Sequence, residues 1–141
     1  RQKGWEEIMK MEPVFLTDRN RTVILEALEG VADAALPDCC HPFEPLSPNT
    51  AESTAAAGEK HLPVVEMNGQ KVTVKVGSIF HPMSEEHSIG WVCLSTKNGR
   101  TYRACMSPGQ EPVVHFTLEE GDAPKAAYAW CNLHGFWKTT I

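Results

Sequence analysis

The 141-residue sequence lacks long apolar runs and has no cluster of basic residues. Its uninterrupted apolar stretches fall far short of the roughly 20 residues that a membrane-spanning helix needs. The first residues, 1–7, carry no apolar core of a secretory signal, which predicts a cytoplasmic protein without a membrane partner. A net charge of −5 with scattered Lys and Arg excludes a phosphate-binding surface, so no nucleic-acid partner is expected.

Cysteine is scarce and irregularly spaced. Five cysteines are an odd number, so a disulfide framework of the secreted type would leave one thiol unpaired. Reduced thiols or metal ligation fit this pattern better. The composition is otherwise ordinary, with 42% hydrophobic and 22% charged residues, which excludes disorder throughout the chain.

Proline and small residues divide the chain into three regions. Residues 1–48 combine helical spacing over 4–11 with an irregular stretch that has a turn candidate at 19–21, which predicts a short helix and a small irregular subdomain. Residues 49–58 are small and polar, as in a linker. Residues 59–141 have the alternating pattern of strands and form the main domain.

Short strands with turns between them dominate the main domain. Residues 62–67 and 70–76 flank Asn68-Gly69, which predicts a hairpin with a type I′ turn. Further strands are predicted over 88–94, 101–105, 111–118 and 126–131. Evenly spaced short strands predict an all-β sandwich or barrel.

Four histidines and one cysteine stand in three short clusters of this domain. They are His61, then His81 and His87, then Cys131 and His134. A structural zinc site closes with four ligands, whereas four imidazoles and one thiolate suit iron and leave one octahedral position for a small substrate. The set predicts redox chemistry at a single metal.

Other chemically active side chains have simpler interpretations. His115 alternates with Val114 and Phe116, so it is expected to face solvent. Cys93 is expected to be a small buried hydrophobe, and Cys105 has no partner suggested by the sequence. Core packing, rather than shielding of the metal, is predicted for Met83, Trp91, Trp130 and Trp137.

The three clusters, in this order on a β-rich chain, resemble those of the superoxide reductases, the desulfoferrodoxin and neelaredoxin family. The resemblance is carried by Gly58-Glu59-Lys60-His61-Leu62-Pro63-Val64, by His81-Pro82-Met83 with Glu86-His87, and by Cys131-Asn132-Leu133-His134-Gly135. It implies an immunoglobulin-like β-sandwich with one mononuclear iron that alternates between Fe²⁺ and Fe³⁺. His61, His81, His87 and His134 would be its equatorial ligands, and Cys131 its axial thiolate.

The implied activity is the one-electron reduction of superoxide to hydrogen peroxide, in defence against oxidative stress. An acidic protein repels superoxide, so fast capture needs a local positive charge, and Lys60 beside His61 is the candidate. The resemblance assigns Glu59 a gating role at the sixth position of the oxidised iron. It also implies a rubredoxin-like electron donor and a homodimer.

Residues 1–48 do not match the full cysteine pattern of the family. Two-iron members of the family bind a second iron in a desulforedoxin-like domain, through a C-x-x-C pair and a later adjacent pair of cysteines. Cys39-Cys40 matches the adjacent pair, but Leu16-Thr17-Asp18-Arg19 stands where a first pair is sought. Two cysteines cannot supply a tetrathiolate site, so this domain is predicted to be degenerate and to lack the second iron centre.

Three other functions remain open at this point. The same iron site would serve an electron-transfer or storage module, although that function gives no reason for Lys60. A superoxide dismutase must be reduced by superoxide as well as oxidised, and oxygen evolution distinguishes it from a reductase. An interaction domain with incidental histidines would fold equally well without metal.

Overall fold

The computed structural model describes residues 12–28, 43–53 and 58–141. The predicted helix over 4–11 and the pair Cys39-Cys40 lie outside these ranges. The chain forms two compact units, which divide after Ser47. Within the described ranges, no helix combines the length and the apolar character needed to cross a bilayer.

The first unit contains a small antiparallel sheet where the sequence predicted irregular structure. Its strands are β1 (Val14–Thr17), β2 (Ile24–Ala27) and β3 (Glu44–Pro45), in the order β2-β1-β3. The predicted turn lies between β1 and β2. There Asp18 accepts hydrogen bonds from the Thr22 hydroxyl and from the backbone N–H groups of Thr22 and Val23. These bonds, that of the Thr22 hydroxyl most of all, lower the pKa of Asp18.

The described residues of the second unit form one helical turn and seven strands. They are α1 (Gly58–His61), β4 (Pro63–Asn68), β5 (Lys71–Val76), β6 (Ile89–Thr96), β7 (Thr101–Cys105), β8 (Val113–Thr117), β9 (Pro124–Cys131) and β10 (Gly135–Thr140). Two antiparallel sheets result, with strand orders β10-β9-β6-β7 and β4-β5-β8. The all-β sandwich predicted from the sequence is confirmed. Strands β6 to β9 lie where the sequence placed them, whereas β10 was not predicted.

Alternating apolar residues form the core of the second unit. Val72, Val74 and Val76 of β5 are completely buried and pack with residues of β6 and β9. His115 is exposed, as its alternation predicted, and its Nδ1 lies 2.9 Å from the Thr73 hydroxyl. Cys93 is buried, also as predicted.

The predicted hairpin is present, but its turn is shifted by one residue. Asn68 pairs with Lys71, so the loop consists of Gly69 and Gln70 instead of Asn68 and Gly69. Gly69 has φ of 62°, and Gln70 is not among the residues with positive φ. A type I′ turn needs positive φ at both loop residues, so this prediction was wrong. Glycine at the first loop position fits a type II′ turn.

Candidate metal centre

The five predicted ligands converge at one end of the sandwich. One nitrogen from each of the four histidines and the sulfur of Cys131 lie within 4.8 Å of one another. Strand pairing contributes to this convergence, because Cys131 at the end of β9 pairs with Ile89 at the start of β6, and Pro63, which follows α1, pairs with Val76 at the end of β5. His61 and His134, which are 73 positions apart in the chain, have ring nitrogens 3.1 Å apart.

The four imidazoles form a ring around a common centre. Successive ring centroids in the order His61, His81, His87, His134 are 4.7, 4.5 and 4.9 Å apart, and the last step back to His61 is 4.9 Å. The diagonal from His61 to His87 is longer, at 6.5 Å. Neighbouring rings are steeply inclined, with angles of 72° to 90°. Four rings grouped in this way could direct one nitrogen each at a single cation.

Two of the ring nitrogens are buried without a hydrogen-bond partner. They are Nε2 of His81 and Nε2 of His87. Nδ1 of His81 lies 2.7 Å from the Pro82 carbonyl, which can only accept a hydrogen bond. The proton of neutral His81 is therefore on Nδ1, and the lone pair of Nε2 is directed to the centre. Buried nitrogens without partners are costly, and a bound cation would satisfy both of them.

Cys131 and His134 are held by one tight turn between β9 and β10. The His134 N–H donates to Cys131 Sγ at 3.3 Å, and the His134 ring nitrogen Nδ1 lies 3.8 Å from the same sulfur. Gly135 then starts β10 with φ of 85°, a conformation that side-chain-bearing residues rarely adopt. One short loop thus supplies two neighbouring candidate ligand atoms.

Burial favours the neutral forms of His81, His87 and Cys131 when no cation is bound. Removal from water lowers the pKa of His81 to about 4, and the neighbouring histidines add to this effect. The pKa of His87 is lowered by burial, then by His134 and Lys60. Burial raises the pKa of Cys131, although the N–H groups of His134 and Leu133 oppose the change. Neutral imidazoles are the form that binds metal, and the thiol would release its proton on binding.

The helical turn α1 places both predicted catalytic residues next to the ligands. Glu59 and Lys60 are exposed, whereas His61 is only 5% exposed. The Lys60 charge is close enough to lower the pKa of His87, so it acts on the site itself. The Glu59 backbone carbonyl accepts hydrogen bonds from the Ile79 N–H and the Ser78 hydroxyl, which tie α1 to the loop that carries His81.

The ligands are not equally covered. Cys131 and His81 are at most 2% exposed, His87 is half-buried and His134 is exposed. The open edge of the ring is therefore the one between His87 and His134, whose ring centroids are 4.9 Å apart.

Trp137 is a site residue that the sequence assigned to core packing. It is buried, and its ring stacks on His61 with a centroid distance of 4.6 Å and an angle of 21°. Its Nε1 also donates to the His134 backbone carbonyl at 3.1 Å. The sequence held one indication that Trp137 lies near the site, because Trp137 follows His134 by only three residues. Core packing was predicted for Met83 as well, and Met83 packs against the core.

Comparisons with known proteins identify the family to which the chain belongs. The family model for desulfoferrodoxin matches residues 53–140. The chain is 43% identical to a desulfoferrodoxin of Syntrophotalea carbinolica over 117 residues, which are 82% of this chain and 86% of the relative. It superposes on the superoxide reductase of Treponema pallidum with a TM-score of 0.75 and 34% identity, covering 92% of this chain and 99% of the other. A one-iron superoxide reductase of Giardia intestinalis gives 0.51 and 34%, covering 59% and 97%.

Proposed function

Because the chain belongs to the desulfoferrodoxin family, we propose that it is a superoxide reductase, which converts superoxide, one electron and two protons into hydrogen peroxide. The observation that carries this proposal is the set of five ligand atoms, which come from three separate segments and lie within 4.8 Å of one another. The unpartnered Nε2 atoms of His81 and His87 support the proposal, because a bound cation would satisfy both of these buried nitrogens.

The donor set fits a single iron. Four neutral imidazoles and one thiolate would hold it, namely those of His61, His81, His87, His134 and Cys131. When bound, iron would supply a one-electron couple, Fe²⁺ and Fe³⁺. The protein contributes the thiolate charge of Cys131, which the His134 N–H group moderates by its hydrogen bond to sulfur.

Lys60 is proposed to attract the substrate. Superoxide is an anion and the chain carries a net charge of −5, so diffusion alone would bring it to the site slowly. The Lys60 ammonium is exposed and acts electrostatically on His87, which lies at the open edge. The same ammonium can hold a water molecule from which the reduced substrate takes a proton.

Glu59 is proposed to control access to the site when no substrate is present. It is exposed and lies two residues from His61 on α1, so its carboxylate would compete with an anionic substrate. The Ser78 hydroxyl and the Ile79 N–H both donate to the Glu59 backbone carbonyl and fix the backbone of α1 beside the loop that carries His81.

The proposal also includes the electron donor, the oligomeric state and the lack of a second iron centre. The electron would come from a rubredoxin-like protein, and the chain would form a homodimer. The absence of a second iron centre stays a prediction, because Cys39-Cys40 lies outside the described residues. The cytoplasmic location also stays a prediction.

The proposal is tested by loading the protein with iron and following superoxide decay by stopped flow. One iron per chain, a visible thiolate charge-transfer band in the oxidised protein and peroxide formation without oxygen evolution are expected. Cys131→Ser should abolish the band. Oxygen evolution would instead indicate a dismutase, and protein that takes up no iron would refute the proposal.

A matched pair of histidine variants distinguishes a proposed metal ligand from a histidine on the protein surface. His87→Ala should lose iron and activity, because it removes one side of the imidazole ring. His115→Ala should keep both, because His115 is an exposed residue of β8. Equal effects of the two substitutions would contradict the assignment of the ligands.

A further inference from the structure

The His87 ligand lies on a loop rather than on a strand. Residues 77–88 connect β5 to β6, and His87 closes a local turn in which the Ser84 N–H donates to the His87 carbonyl at 3.0 Å. The Ser84 hydroxyl oxygen accepts from the His87 N–H at 3.1 Å. These bonds shape the turn itself, but they do not set its position relative to the other ligands.

Asn132 makes hydrogen bonds that fix the position of this loop relative to the Cys131–His134 turn. Its side-chain oxygen accepts from the Ser88 N–H at 3.0 Å, and its Nδ2 donates to the Glu86 carbonyl at 2.9 Å. Its own backbone N–H donates to the Ser88 carbonyl at 3.2 Å. Asn132 follows the ligand Cys131 directly, so all three bonds connect the Cys131–His134 turn to the residues on either side of His87.

The two side-chain bonds engage the two peptide groups that flank His87. The Glu86 carbonyl belongs to the peptide before the His87 Cα, and the Ser88 N–H belongs to the peptide after it. Fixing both groups fixes the direction in which the imidazole leaves the backbone. A carboxamide suits this task because it has one acceptor and one donor, and the two partners need one of each.

From these contacts we propose that Asn132 is a positioning residue, which clamps the His87 loop to the Cys131–His134 turn and so preorganises the metal centre. The inference rests on the proposed function in that it takes these residues as ligands of one metal ion. Ligands held at the correct spacing before binding lose less conformational freedom when the metal arrives. Without the clamp, one ligand of the ring would have to be ordered by the metal itself.

Two substitutions test the clamp in different ways. Asn132→Ala removes both side-chain bonds, whereas Asn132→Asp keeps the acceptor for Ser88 but sets a second oxygen against the Glu86 carbonyl. Both should weaken Co²⁺ binding by about 10- to 100-fold, the usual range for residues that orient metal ligands, measured by competition with a chromophoric chelator. The Co²⁺ absorption bands should shift in both variants, because the His87 nitrogen moves.

Amide hydrogen exchange of the Zn²⁺-substituted protein reports the bond directly. The Ser88 amide should exchange about tenfold faster in Asn132→Ala and remain protected in Asn132→Asp. A purely structural asparagine would change stability without moving the Co²⁺ spectrum. Asn98→Ala is the matched control, since Asn98 lies in the turn after β6, roughly 25 Å away at about 3.3 Å per residue of strand. It should leave the affinity and the spectrum unchanged.

The outcomes separate the two proposals. Wild-type affinity and an unshifted Co²⁺ spectrum in folded Asn132→Ala and Asn132→Asp would overturn the clamp and leave the metal centre intact. If Asn132→Ala does not fold, the same readouts of Asn132→Asp decide the matter. A wild-type chain that binds neither Co²⁺ nor iron would overturn the proposed function and the clamp together.

Discussion

The Trp137 indole lies almost parallel to the His61 imidazole, with ring centroids 4.6 Å apart and an interplanar angle of 21°. The same indole donates from Nε1 to the His134 backbone carbonyl at 3.1 Å. Trp137 therefore contacts two proposed ligands that lie on different segments of the chain. These two contacts constrain the positions of His61 and His134.

Two substitutions at Trp137 should have graded effects. Trp137→Phe keeps a ring against His61 but loses the hydrogen bond to His134, whereas Trp137→Leu loses both. Stacking of this kind contributes about 0.5–1.5 kcal/mol beyond burial. We expect iron affinity to fall in the order wild type, Phe variant, Leu variant, with the Leu variant about 10- to 100-fold weaker. Chelator competition measures this, and equal affinities in all three proteins would contradict the role of Trp137.

Gly77 should not tolerate a side chain. A Cβ at this position would lie 2.6 Å from the Glu59 carbonyl oxygen and 3.0 Å from the Leu62 carbonyl oxygen, so α1 would have to move. We expect Gly77→Ala to lower the free energy of unfolding by about 1–3 kcal/mol and to weaken iron binding through His61. Denaturant titration and iron analysis check both effects.

Gly90→Ala is the matched control for that substitution. Its Cβ would meet only the Trp130 side chain at 3.6 Å, an ordinary contact distance, and Gly90 does not have positive φ. Iron binding by Gly90→Ala should equal that of the wild type. A loss of iron as large as that of Gly77→Ala would show that the clash with α1 is not the cause.

Lys60→Ala should slow the capture of superoxide. Removing a positive charge at the open edge should lower the second-order rate constant about tenfold at low salt, and should make it less dependent on ionic strength. Lys97→Ala removes the same charge from the turn after β6, at the far end of the strand, and should change the rate little. Equal rates for the two variants would argue against a steering role for Lys60.

The metal-free protein should lose stability as the solution becomes acidic. The pKa of His81 falls from 6.5 to about 4 in the folded chain, so between these values the unfolded chain binds a proton that the folded chain does not. Stability therefore decreases as pH falls from about 6.5 to 4, by up to about 3 kcal/mol at about 1.4 kcal/mol per pKa unit.

Urea titrations of chelator-treated protein across that pH range measure this loss. His81→Gln should show a shallower dependence on pH, because one of the groups that take up protons on unfolding is gone. A residual slope is expected, since the pKa of His87 is also lowered. An unchanged slope in His81→Gln would mean that His81 is not responsible.

Residue type and motif order predicted which side chains gather at one centre. Three short clusters of histidine and cysteine, which resemble those of a known family, gave the five candidate ligands before any fold was known, and the alternation in β5 predicted a buried sheet face. These are local properties, which depend on neighbours a few positions away. The hairpin was predicted for the same reason, although its turn is shifted by one residue because strand pairing sets the register.

Long-range packing decided the rest. The pairing of Cys131 with Ile89 joins two of the ligand segments, and the pairing of Pro63 with Val76 places α1 beside the loop that carries His81. No spacing rule showed that Trp137 would stack on His61, because β10 and α1 are far apart in the chain and meet only in the folded domain. Nor could the sequence show that the Asn132 carboxamide reaches both peptide groups beside His87, since that depends on the distance between two loops in the folded chain.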